Sequence, residues 1–412
     1  MTIPDPWLLI LCIATLLLVL GATSGLVNTH LWVSEPVVCV AVGAILGPAC
    51  FGLINLDLGS DLNAAVFLRE VARATLAVSV TAAAMRLPRG WLRRSWLGTA
   101  IALGPGMLAM WAVSSAAAMI LGLPWAICLL LGAVVTPTDP VLSAPIITGR
   151  LAREAVPDDL RHGLTAESAA NDGLAALLIS FSLLLAAQPP ETSVAHWLTF
   201  DVLWTTTAAV CGGGAAGWLA GHALNWAERR RDADPAPLLT IALALAALSL
   251  AGMQVVGGNG ILAAFVAGVV LNEAIDGEQE VRQERFNEGL SRFFDLPVLV
   301  LFGVAMPWAD WRLLGWHGVA FAAAVLLLRR LPTWLVLGSS MPWTRRKPEA
   351  LFAGWFGPVG AAALFYACDI QVKNEVPGIW PATSLVVFCS VLLHGITGTP
   401  LTHLLGRTLR QV

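Results

Sequence analysis

Apolar runs of about twenty residues follow one another along this whole chain, and about twenty residues is what a helix needs to cross the hydrocarbon core of a bilayer. Breaking the sequence at charges, prolines and glycines places the first seven at about 7–27, 33–53, 64–85, 96–120, 125–148, 163–187 and 199–225. The others fall at about 237–255, 259–273, 288–306, 316–340, 350–369 and 380–402. Backbone N–H and C=O groups cannot go unpaired in lipid, so runs of this kind fold as helices. Composition agrees: 57% of the 412 residues are hydrophobic and 12% charged, about half the charge of a soluble domain. The chain reads as an all-α polytopic membrane protein with about 13 transmembrane helices.

Orientation follows from the basic residues. One set of loops holds Arg86, Arg89, Arg93 and Arg94; Arg150, Arg153 and Arg161; Arg229, Arg230 and Arg231; Arg282 and Arg285; and Arg345, Arg346 and Lys347. Arg407 and Arg410 follow the last run. The alternate loops, such as N-L-D-L-G-S-D, Q-P-P-E-T and G-G-N-G, are nearly free of them. The positive-inside rule then puts the N-terminus outside and the C-terminus in the cytoplasm, across the cell (inner) membrane. That orientation needs an odd number of spans, as counted. M-T-I-P-D-P-W lacks the basic start of a cleaved signal, so the first run reads as a retained helix. No soluble domain of any size follows the last run, and residues 1–412 read as a single transmembrane domain. No basic or aromatic-rich tail suggests nucleic acid. The seven cysteines lie singly with no C-x-x-C, as small core residues rather than disulfide or metal sites.

The fifth run contains T-P-T-D-P, residues 136 to 140. A charge at mid-membrane costs about 2.5–3.5 kcal/mol on insertion scales, and two prolines free carbonyls that lipid cannot satisfy. The sixth run contains E-S-A-A-N-D-G, residues 167 to 173. Asp139, Glu167 and Asp172 thus sit inside two consecutive apolar runs, where acids face a bundle interior or wet cavity and mark ion or proton paths. Glu167 and Asn171 share one helix face; Ser168 and Asp172 share another, about 100° around. Asp172 can then face a site while Glu167 braces against a neighbour. The eleventh run, A-A-A-V-L-L-L-R-R-L-P-T-W-L-V-L, supplies Arg329 and Arg330. An arginine cannot shed its charge, so a structural Glu167–arginine pair is expected, with a snorkelling arginine as the plainer alternative. The plainer alternatives for the two motifs are a proline kink with an incidental acid and a polar network joining helices. The functional reading is a helix unwound around Thr138 and Asp139, whose oxygens suit a hard cation such as Na⁺. His394 in the last run reads as a packed or capping histidine rather than a pH sensor.

The twelfth run, A-L-F-A-G-W-F-G-P-V-G-A-A-A-L, is interrupted by Gly354, Gly357, Pro358 and Gly360. Paired interrupted helices in corresponding places of two inverted halves point to a transporter's midplane site. The halves are expected at about 7–187 and 237–402, with the fifth and twelfth runs crossing at Pro137, Pro140, Gly357, Pro358 and Gly360. Opposed helix ends around a wet cavity would make Asp139 tolerable.

These residues resemble the cation:proton antiporter-1 family, the sodium/proton exchangers that include the NhaP type. The likeness rests on G-A-V-V-T-P-T-D-P-V-L, E-S-A-A-N-D-G-L-A, L-L-L-R-R-L and G-W-F-G-P-V-G-A, and it covers essentially the whole chain. It implies that Asp172 alternately binds the ion and the proton, and that Thr138 and Asp139 sit at the unwound crossing. Ser168 looks like an additional ion ligand, so the implied Na⁺ set is Asp172, Asp139 and Ser168. Asn171 stands where electrogenic relatives carry a second aspartate. Aligning Leu331 with the family's leucine selects Arg329 as Glu167's partner, Arg330 being the alternative. The likeness also implies a core bundle rocking against a dimerisation bundle, a homodimer, and no cofactor. The run L-A-V-S-V-T-A-A-A-M-R-L departs from the family's Phe and Gly-Gly pattern. The chain also ends without an appended regulatory region, which suggests intrinsic pH dependence.

The expected function is therefore secondary antiport, not enzymatic: one proton against one Na⁺ or Li⁺, with competition at Asp172. A K⁺/H⁺ exchanger of the same fold is the alternative. A transporter-like sensor or channel and an intramembrane aspartyl protease are the other classes; the missing G-x-G-D context argues against the protease.

Overall fold

Helix is the regular structure throughout the described residues, which in this computed structural model are 6–26, 33–58, 61–228, 238–275 and 280–411. Every expected apolar run falls on helix. Val27 and the arginines at 229, 230 and 231 lie outside the described residues. Among the described residues five helices are long and apolar enough to cross a membrane by length and composition: Trp96–Leu121, Asp158–Ala187, Leu238–Val256, Trp308–Ser340 and Ile379–Arg410. Shorter apolar helices include Glu35–Leu46, Trp125–Val134 and Gly260–Ala274. Pro105 lacks an N–H, and the Trp96–Leu121 helix passes it by widening into a π-helical stretch, Ala102–Gly106. Tryptophans such as Trp7, Trp125, Trp218 and Trp316 point outward, as rings facing lipid or its interface do.

Small residues bring the helices close. A side chain at Gly43 would strike the backbone of Val300 and Gly303, so the Glu35–Leu46 helix lies directly against the Glu280–Val304 helix. The Leu62–Ala84 helix is central. It packs on Gly260–Ala274, Glu280–Val304, Ala361–Asn374, Leu238–Val256 and Asp158–Ala187.

Three apolar runs are not continuous helices, and they meet at the site. The fifth run is helical over Trp125–Val134, irregular over 135–143, and helical again from Ala144–Ile147. The twelfth is helical over Lys347–Trp355, irregular over 356–360, and helical over Ala361–Asn374. The eleventh breaks after Trp308–Leu328, and Arg329 and Arg330 occupy the junction before Leu331–Leu337.

Candidate functional site

The two breaks cross and bond to each other. The backbone N–H of Asp139 donates to the Pro358 carbonyl at 2.8 Å. One carboxylate oxygen of Asp139 accepts from the N–H groups of Val141 and Leu142 at 2.7 and 3.2 Å. The other accepts from the N–H of Ala361 at 2.5 Å. That N–H begins the 14-residue Ala361–Asn374 helix, so a negative charge sits on the positive end of a helix dipole. Asp139, expected as a direct cation ligand, is engaged by three N–H groups at the crossing.

Arg329 performs the opposite task. One of its terminal nitrogens donates to the carbonyls of Val135, Thr136 and Pro137 at 2.5, 2.8 and 3.2 Å. The other donates to the Gly357 carbonyl. A cation thus satisfies carbonyls left over where both broken helices end. The pair with Glu167 belongs to Arg330, not Arg329. Its two terminal nitrogens meet Glu167 Oε1 and Oε2 at 2.5 and 2.6 Å, and its Nε donates to the Ala353 carbonyl at 2.8 Å. The guanidinium also lies 4.4 Å from the Trp334 ring centre. Neighbouring side chains diverge at a helix junction, so one arginine turns to the crossing and the other to Glu167.

Thr138 and the Asp158–Ala187 helix form a polar network. The Thr138 N–H donates to Asn171 Oδ1 at 3.0 Å, and Asn171 Nδ2 donates to Thr138 Oγ1 at 2.8 Å and to Glu167 Oε1 at 3.2 Å. The Thr138 hydroxyl donates to Ser168 Oγ at 3.0 Å. Asn171 is therefore a strut between the break and the ion pair. Asp172 stands apart: it is fully buried, and neither carboxylate oxygen has a hydrogen-bond partner. Its backbone carbonyl accepts the Tyr366 hydroxyl at 2.6 Å, a contact with no sequence signal beyond a tyrosine in an apolar run. Of the implied Na⁺ set, Asp139 and Ser168 are hydrogen-bonded within the crossing and Asp172 is left without a partner. Among the described residues no group of three or more His, Cys, Asp or Glu is arranged as a metal site.

His394 holds the second break in place. Its Nε2 is 3.0 Å from the Trp355 carbonyl and its Nδ1 is 3.2 Å from Ser390 Oγ, which accepts the Val359 N–H at 2.8 Å. A cavity of about 240 Å³ opens beside Ala176, one turn beyond Asp172, with Tyr366, Asn259, Asp201, Asp369 and Lys373 on its walls. Its walls come mainly from the Leu62–Ala84, Asp158–Ala187, Leu238–Val256 and Ala361–Asn374 helices, and Arg73 is among them.

Gly360 has a steric reason. Any Cβ there would run into the Asp139 carboxylate. Gly360→Ala is expected to lower stability by about 1–3 kcal/mol, the cost of overpacking. Gly214→Ala, where a Cβ meets nothing within 4 Å, should leave stability unchanged. Thermal unfolding in detergent measures the contrast.

The model of the family described as "Sodium/hydrogen exchanger, transmembrane" matches residues 13–404. The chain is 27% identical to a Na⁺/H⁺ antiporter of Saccharomyces cerevisiae, with 97% of this chain and 44% of the relative covered. It is 30% identical to Na⁺/H⁺ antiporter 2 of Zygosaccharomyces rouxii, with 97% and 53% covered. The chain spans about half the length of these curated relatives. Its fold matches the sodium proton antiporter MjNhaP1 of Methanocaldococcus jannaschii with a TM-score of 0.73, at 18% identity, over 97% of each chain.

Proposed function

Since the chain belongs to the sodium/hydrogen exchanger family, we propose that it exchanges Na⁺ or Li⁺ for a proton across a membrane. One observation carries the reading: Asp172 is a fully buried acid with both oxygens unpartnered, beside the crossing of two broken helices. Such a group is stable only with a proton or a cation on it. Asp172 therefore holds one or the other, never both, and each loaded form licenses the switch between inward and outward access.

The charges at the crossing itself support one-for-one, electroneutral exchange. Glu167 and Arg330 cancel, and Asp139 and Arg329 stay fixed on helix ends. Asn171 adds no second carboxylate. The Thr138 and Ser168 hydroxyls, 3.0 Å apart, supply further oxygens for a cation's shell when their mutual bond opens. The cavity beside Ala176 and Tyr366 is the outer approach. In this reading the chain is one domain of two inverted halves, 7–187 and 237–402, with the N-terminus outside and the C-terminus in the cytoplasm. It works as a homodimer in the inner membrane. The relatives named as Na⁺/H⁺ antiporters favour sodium as cargo.

The test uses proteoliposomes with an acid lumen and a fluorescent ΔpH dye. Na⁺, Li⁺ and K⁺ are added in turn, with and without a valinomycin clamp. Dequenching by Na⁺ and Li⁺, indifferent to the clamp, is the expected result. Dequenching by K⁺ alone would change the cargo and keep the mechanism. Silence toward every cation would overturn the exchange reading in favour of a sensor.

A further inference from the structure

Asp172 has a counterpart that the mechanism above does not use. Asp295 lies in the Glu280–Val304 helix, two residues before Pro297, and is 2% exposed. One of its carboxylate oxygens accepts the Ser79 hydroxyl at 2.5 Å. The other is buried and has no hydrogen-bond partner. Among the described residues neither Asp295 nor Asp172 makes an ion pair, although Arg86 lies within electrostatic reach of Asp295. The Asp295 charge bears on Asp172, and that of Asp139 bears on Asp295.

The helices explain the meeting. Ser79 belongs to the central Leu62–Ala84 helix, which packs on both the Asp158–Ala187 helix of Asp172 and the Ala361–Asn374 helix of Tyr366. On its other side it packs on the helix of Asp295, where Thr75 Oγ1 donates to the Phe294 carbonyl at 3.1 Å and fixes the register. An acid anchored through one oxygen, with the other buried and unpartnered, is built to accept something. A hard monovalent cation or a proton is the chemistry that fits.

We infer that Asp295, held by Ser79, is a second ion-binding position of the transport path, opposite Asp172. It takes the cargo cation or a proton on its free oxygen. This rests on the exchange reading. Its helix takes no part in the crossing, so a cation passing Asp172 is handed between the crossing and the helices packed around it.

The experiment measures half-saturation by Na⁺ in proteoliposomes at fixed pH, together with thermal stabilisation by Na⁺ in detergent. The variants are Asp295→Asn and Ser79→Ala. Asp295→Asn is expected to raise the half-saturating Na⁺ about tenfold, a charged ligand's worth, and to weaken the Na⁺-induced stabilisation in parallel. Ser79→Ala keeps the acid but frees it, and a smaller shift in the same direction is expected. A folded Asp295→Asn protein with wild-type half-saturation and stabilisation would overturn the inference while leaving exchange at Asp172 intact. Should Asp295→Asn fail to fold, Ser79→Ala decides by the same two readouts: a shift supports the site and no shift overturns it. A wild-type protein with no exchange at all would sink the function instead.

Discussion

Asp172→Asn is expected to reduce cation-driven proton movement to background while the protein folds as before. The two halves of that expectation have one physical cause. Both oxygens of Asp172 are buried and without partners, so no hydrogen bond of the fold depends on the carboxylate. Asparagine replaces one unpartnered buried polar group with another of the same shape, and stability should stay within about 1 kcal/mol. What disappears is the charge that a proton or a cation can neutralise. The sharper measurement is linkage. A ligand that binds only the folded protein stabilises it as its concentration rises. Wild type should therefore unfold at a higher temperature with added Na⁺, and Asp172→Asn should lose most of that response. An active Asp172→Asn variant would end the single-carboxylate mechanism.

The sequence made the crossing legible because its parts are breaches of rules. An acid between two prolines in an apolar run, and a glycine-proline cluster in another, cannot be ordinary spanning helix, and both runs are broken where those residues stand. Helical spacing also separated Asn171 from Asp172, one bonded into the strut and the other left open. The choice between Arg329 and Arg330 was not legible. It depends on a helix ending after Leu328, and adjacent arginines in an apolar run give no sign of where the turn falls. Asp295 carried the same signal as Asp139, an acid just ahead of a proline in an apolar run. It lacks a second motif beside it, and only the packing of the Leu62–Ala84 helix brings it toward Asp172. Asp139 was legible as tolerated but not as engaged by three N–H groups, because these partners arise from the crossing itself.

Glu167→Ala is expected to be the most destabilising single change at the site, by about 3–5 kcal/mol, because it leaves the Arg330 guanidinium charged and buried without its counter-ion. The two side chains are 1% and 2% exposed and joined by both nitrogens to both oxygens, so water cannot replace the lost carboxylate without opening the bundle. Removing both charges should hurt less than removing one. Arg330→Leu combined with Glu167→Ala is expected to recover much of the loss, as apolar replacements of buried pairs do. The Ala353 carbonyl and Asn171 would still lose their bonds, which limits the recovery. A double-mutant cycle in detergent gives the decisive number. Glu167 and Arg330 should couple by about 2–3 kcal/mol, whereas Glu167 and Arg329 should couple much less, because contacts and not proximity set the term. Equal coupling to both arginines would mean that Glu167 answers to the local positive charge as a whole. The bidentate pair would then not be what holds the Asp158–Ala187 helix against the broken eleventh run.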